Sequence, residues 1–205
     1  MSLAYNHTEI APRELKPSLY DLEGISRQAI EAHYRLYEGY VAKRNEILAK
    51  LADADSAAAN QTYSELRALK VELTFAIGGI KNHELYFGHL GGNGGDPKGA
   101  FGELVAREFG SVAEWRADLK ATGMAARGWA WTAWDWDEGR LFNYLGDAQN
   151  TFPVWNATAL VALDVYEHAY CVDFGTDRSG YIDAFFNNMD YDVVNDWSQK
   201  YGVRP

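Results

Sequence analysis

The chain has 205 residues, 29 acidic against 19 basic, for a formal charge of −10 and a pI near 4.9. With no Lys/Arg-rich run to offset it, this balance argues against nucleic acid as a partner. Cys171 is the single cysteine, which excludes an intrachain disulfide and a cysteine-built metal site within one chain. No segment is apolar for long enough to span a bilayer, and Met1-Ser2-Leu3-Ala4-Tyr5 shows no basic stretch followed by an apolar one, so the expectation is a cytoplasmic protein with no membrane partner. Seven Trp, thirteen Tyr and nine Phe predict an aromatic interior whose polar tips need hydrogen-bond partners.

In chain order, residues 1 to about 24, with Pro12 and Pro17, read as an extended lead-in. Ser26 can cap a helix whose Ile30, His33, Tyr34, Tyr37, Tyr40, Val41, Ile47 and Leu48 recur at steps of three and four. A polar turn from Ala52 to Gln61 follows, and a capping box at Thr62-Tyr63-Ser64-Glu65 can start or reinforce a second helix, making a helical hairpin. That helix puts Leu69, Leu73, Ala76, Ile80, His83 and Phe87 on one side before Gly91-Gly92-Asn93-Gly94-Gly95-Asp96-Pro97 ends it. Gly78-Gly79 costs about 1 kcal/mol per glycine inside a helix, so a large group is expected against that face.

Two shorter helices follow, Ala100 to Phe109 and one capped by Ser111-Val112-Ala113-Glu114. The alternation Gly128 to Trp136, a turn at Asp137 to Arg140 and the return Leu141 to Leu145 predict a β-hairpin. Ala157 to Leu163 is a third strand, ending at Asp164. Asp164-Val165-Tyr166-Glu167-His168-Ala169-Tyr170 reads as a loop at the strand exit, and Ser179 to Asn187 and Asp190 to Tyr201 as terminal helices.

An anionic oxygen at Asp164 and an imidazole at His168 can converge on one cation. Joined by His33 and His83 from facing helices, they make a donor set suited to iron or manganese, with zinc possible on ligand type alone. His7, in the lead-in, is expected to be exposed, and His89 to be a helix-end residue.

These residues carry a resemblance to the iron/manganese superoxide dismutases from about Tyr20 to the C-terminus. The family's Asp-x-Trp-Glu-His-Ala-Tyr signature corresponds to Asp164 through Tyr170, its Asn-His segment to Asn82-His83, and its Gly-Trp-Gly-Trp strand to Gly128-Trp129-Ala130-Trp131. The resemblance implies an α+β fold: an N-terminal lead and helical hairpin over 1–92, then a C-terminal domain over 93–205 with a three-stranded antiparallel sheet and surrounding helices. It implies the ligands His33, His83, Asp164 and His168 and one manganese or iron ion per subunit, manganese slightly favoured because Gly79 matches the manganese-type members. The implied activity is ping-pong dismutation of superoxide to oxygen and hydrogen peroxide. The alternative is a metal-binding homologue that is structural, sensory or a metal store.

The same resemblance makes Tyr40 the gateway tyrosine, with Tyr37 as the alternative, and Gln149 the glutamine that hydrogen-bonds solvent at the metal, held by Trp129. Arg178 matches an arginine that attracts the anionic substrate, with Arg35 as a lesser candidate. Glu167 matches a residue that reaches the partner's ligand histidine across a homodimer, with a tetramer also possible. Departures cluster at the gate: one residue is missing between His33 and Tyr40, Leu36 or Tyr37 stands where a histidine is common, and Tyr166 and Cys171 replace a tryptophan and a tyrosine.

Overall fold

The structure is a computed structural model that describes residues 7–151 and 154–205. The opening Met1 to Tyr5, read above for a leader, lies outside the described residues.

Helix α1 (Arg27–Asp53) starts where Ser26 Oγ accepts the Ala29 N–H, and α2 (Glu65–Gly88) where Ser64 Oγ accepts the Arg67 N–H. The second cap therefore sits two residues later than a box starting at Thr62. The reason is local: the Asn60 side chain accepts the Thr62 and Tyr63 N–H groups and holds that stretch in a turn. His89 caps the C-terminus of α2, its N–H on the Leu85 carbonyl. The lead-in is fastened across the hairpin, with Asn45 pairing both backbone groups of Ile10 and Lys16 Nζ donating to the Gly88 carbonyl.

The large groups expected against Gly78-Gly79 are two. A Cβ on Gly78 would stand 2.0 Å from the Gln149 carbonyl oxygen, and one on Gly79 would stand 2.6 to 2.8 Å from the Tyr40 ring. The helix accepts two poor helix formers because a loop and an aromatic ring lie directly on its backbone.

Helix α3 (Gly99–Phe109) ends at Gly110 with φ +81°, and α4 (Val112–Ala125) is capped by Ser111 accepting the Glu114 N–H. The sheet has the order β2-β1-β3, both pairings antiparallel, from β1 (Trp129–Asp135), β2 (Arg140–Gly146) and β3 (Ala157–Asp164). Central β1 is buried through Trp134, and its register sets Trp129 opposite Gly146 on one side and Asp164 on the other. Those pairings bring the end of β2 and the end of β3 to the same edge as Trp129.

Directly after β3 comes a helix where a loop was expected, α5 (Glu167–Phe174), followed by α6 (Arg178–Asn187) and α7 (Tyr191–Tyr201). Polar residues hid it: only Ala169 and Tyr170 are buried, so eight residues carry no apolar stripe. The main core joins the sheet, α3, α4, α6 and the inner faces of the hairpin, and a second cluster of Ile47, Leu48, Leu51 and Ala76 closes the far end of the hairpin.

Candidate metal centre

Four elements each turn one donor inward. His33 comes from α1, His83 from α2, Asp164 from the end of β3 and His168 from the first turn of α5, and one ligand atom from each lies within 4.8 Å of all the others. Asp164 Oδ2 is the hub, 3.0 Å from His33 Nε2, 3.2 Å from His168 Nε2 and 3.8 Å from His83 Nε2. The other carboxylate oxygen is engaged elsewhere, accepting the Tyr166 N–H at 2.9 Å, which fixes the plane of the carboxylate.

Burial sets the protonation of the two inner histidines. It lowers His83 to about 3, with His33 adding to the effect, and lowers His33 against the opposing pull of Asp164. Burial alone would raise Asp164, but hydrogen bonds and charge from His168 and His33 outweigh it and hold the carboxyl well below the usual range. Lowered pKa values at His33 and His83 favour neutral imidazoles, and that at Asp164 favours the carboxylate, the forms that ligate metals.

His83 supplies the sharpest test of whether these residues fit an ion. Its Nδ1 lies 2.6 Å from the Gly79 carbonyl, which can only accept, so Nδ1 carries the proton and Nε2 an unshared pair. That Nε2 is buried, faces the cluster and has no hydrogen-bond partner. One ligand atom from each of the four residues lies within 4.8 Å of the others, close enough for all four to hold one ion. Three imidazoles and one carboxylate fit iron or manganese.

One side of the cluster is lined by a hydrogen-bonded chain. Gln149 Oε1 accepts from Trp129 Nε1 at 3.0 Å and Asn82 Nδ2 at 3.2 Å. An indole N–H can only donate, so the amide oxygen must face Trp129, and Nε2 faces the Tyr40 hydroxyl 3.3 Å away. Tyr40 lies over His83 with ring centroids 5.4 Å apart, and burial raises its pKa. Tyr37 points elsewhere, donating to Glu84 and accepting the Arg13 N–H. In the sequence Asn82 is only the neighbour of His83; its grip on Gln149 spans 67 residues and leaves no local signal.

The remaining candidates are spread around the rim. The Tyr166 ring stacks on His168 at 5.2 Å and 16°, and burial pushes its phenol up to about 12. Leu36, Arg35, Glu167 and Cys171 are exposed. Arg178 is no freely solvated charge: it donates to the Ala126 carbonyl at 2.7 Å and to the Tyr170 hydroxyl, capping the end of α4. His89 is buried away from the cluster, where Nε2 accepts the Ala162 N–H, and His7, expected to be exposed, is half-buried.

Comparisons with known proteins agree with this geometry. A family model described as iron/manganese superoxide dismutases, alpha-hairpin domain, matches residues 14–91, and its C-terminal domain counterpart matches residues 97–197. Proteins named superoxide dismutase [Fe] from Aquifex aeolicus and Aquifex pyrophilus are each 46% identical over 198 residues, covering 94% of this chain and 92% of theirs. Superoxide dismutase [Mn] 1 of Halobacterium salinarum is 34% identical over 185 residues, covering 87% of this chain and 91% of its own.

Proposed function

The chain belongs to the iron/manganese superoxide dismutase family, and from that premise we propose that His33, His83, Asp164 and His168 hold one iron or manganese ion per subunit for the dismutation of superoxide. When bound, the ion supplies the one-electron chemistry, oxidising one superoxide to oxygen and reducing the next to hydrogen peroxide. The convergence of the four donors around the unpartnered His83 Nε2 carries this reading.

The chain's own groups hold the ligands and handle protons. The Gly79 carbonyl fixes the His83 tautomer, and the Tyr166 N–H orients Asp164. Reduction of superoxide consumes two protons, and Tyr40 is the candidate donor: a half-buried phenol that stays neutral at ordinary pH and accepts from Gln149, which leaves its own O–H available. Trp129 and Asn82 keep the Gln149 amide in that orientation.

The test is to load the protein separately with iron and manganese, quantify the metal, and assay superoxide removal. The expected result is one ion per subunit and activity in at least one form; stoichiometric metal with no activity in either overturns the reading. Manganese is the narrower assignment. It is supported by Gly79, which makes room for Tyr40 while the glutamine arrives from the loop after β2, and the iron named for the two Aquifex relatives weighs against it.

A homodimer in the cytoplasm, with a tetramer as its possible extension, completes the proposal. Glu167 is exposed beside ligand His168, where a twofold partner's histidine could accept its support. Glu167→Ala is expected to weaken the dimer in sedimentation velocity, and unchanged association and metal content would count against the bridge. The division at residues 1–92 and 93–205 is supported by the α1–α2 hairpin and the two matched stretches. Arg178 serves the site as the brace of α4 that holds Tyr170, and Cys171 as a rim residue of α5.

A further inference from the structure

Tyr166 touches both the ligand stretch and the loop that carries Gln149. Its N–H binds Asp164 Oδ1, its ring stacks on His168, and its hydroxyl donates to the Asp147 carbonyl at 3.4 Å. Asp147 precedes Gln149 by two residues, directly after the end of β2, where the Arg127 N–H also holds its side chain. The ring edge lies against Gly128, where a Cβ would come within 3.0 to 3.1 Å of ring atoms, so the phenol has little room to turn away from that carbonyl.

On the other flank, the loop is fixed by contacts already placed beside the metal: the Gln149 carbonyl on Gly78 and its amide on Asn82 and Trp129. On the near flank the Tyr166 hydroxyl holds the Asp147 backbone carbonyl, while Arg127 holds its side chain. An indole, the side chain standing here in the family signature, has its only donor on the five-membered ring and cannot present an O–H at the para position.

We propose that the Tyr166 hydroxyl is a positioning group: by tying the Asp147 carbonyl to the ring stacked on His168, it sets where the Gln149 amide stands relative to the metal ligands, and through that amide the reduction potential of the bound ion. This rests on the dismutase reading of the site and deepens it, because hydrogen-bonding groups around a metal tune its redox equilibrium.

The experiment is a double-mutant cycle on the metal-loaded protein with Tyr166→Phe and Gln149→Ala, reading metal content, reduction potential by mediated titration, and superoxide removal. Tyr166→Phe keeps the ring and deletes the hydroxyl. Its expected effect is a several-fold change in the reduction equilibrium, a tenfold change being about 59 mV for one electron, with metal stoichiometry unchanged. In the Gln149→Ala background the same substitution is expected to have no effect. An equal shift in both backgrounds would mean that Tyr166 acts through His168 alone and would overturn the proposal, as would no shift in either. Tyr166→Trp, which also lacks a donor at that point, is expected to follow Tyr166→Phe and replaces it in the cycle if the phenylalanine variant folds poorly. Failure of the unsubstituted protein to bind metal or remove superoxide would instead sink the dismutase reading.

Discussion

The helical hairpin and the sheet-bearing half each give two donors to the metal centre, but by different means. His33 and His83 stand in the interiors of long helices, 50 residues apart, and are held by aromatic packing, with the His33 ring 4.9 Å from Tyr86 and 5.1 Å from Phe87. Asp164 and His168 belong to one short strand exit, ordered by backbone hydrogen bonds and by the register that sets Trp129 opposite Asp164. The hairpin thus supplies neutral donors in dry surroundings, and the sheet half supplies the charge together with the more accessible histidine, whose side chain is 26% exposed. Neither half has a complete site, so metal affinity reports how the two are docked.

Breaking the charged half should have the largest effect. Asp164→Asn keeps an acceptor for the Tyr166 N–H but removes the anion, and metal affinity is expected to fall by more than about 100-fold, beyond what the loss of an outer partner costs. Metal analysis after dialysis against a competing chelator measures it.

Next comes the docking between the halves. Gly78→Ala improves helix propensity by up to about 1 kcal/mol, yet its Cβ would run into the backbone carbonyl of Gln149. Backbone cannot swing aside as a side chain can, so net destabilisation of about 1–3 kcal/mol is expected from denaturant melts.

Acid should separate the two halves in metal-free protein. Buried His33, His83 and His89 all belong to the hairpin half and have lowered pKa values, His83 and His89 near 3 against an ordinary 6.5. Below pH 6.5 the unfolded chain takes up protons that the folded chain refuses, so stability present above 6.5 is lost as pH falls toward 3. Asp164 is likewise lowered from 3.8, and its contribution disappears only below that value. A denaturation midpoint that stays flat between pH 6.5 and 4 would contradict the hairpin's part.

The smallest change belongs to the hairpin alone. A Cβ on Gly39, in α1, meets nothing within 4 Å, so Gly39→Ala is expected to stabilise the protein by about 0.5–1 kcal/mol in the same melts. The opposite signs at Gly39 and Gly78 would isolate the cost of the Gln149 loop.

Much of this was legible along the chain because it repeats or punctuates. Three- and four-residue steps marked α1 and α2, alternation marked β1, and Gly110 and Ser111 marked the break between α3 and α4. The four donors stood out because the chain has only five histidines and an acid–imidazole pair directly behind an apolar strand. Helix α5 escaped for the converse reason: with hardly any buried side chains it has no period to detect. The cap falls at Ser64 and not at Thr62 because the Asn60 side chain accepts the Thr62 and Tyr63 N–H groups and holds that stretch in a turn.

By itself, then, the sequence determined the elements other than α5, the sort of cation the donors suit and the likeness to a family, since residue type and local period act over a few neighbours. Tertiary structure alone decided which hydroxyl faces Gln149, Tyr40 and not Tyr37, because that choice depends on two glycines of α2 admitting one ring and one loop. It also decided that Arg178 braces a helix end, that Asn82 and Trp129 fix an amide, and that Tyr166 spans from His168 to Asp147. Hydrogen bonds between groups 19 to 109 residues apart follow from packing, and no local pattern encodes them.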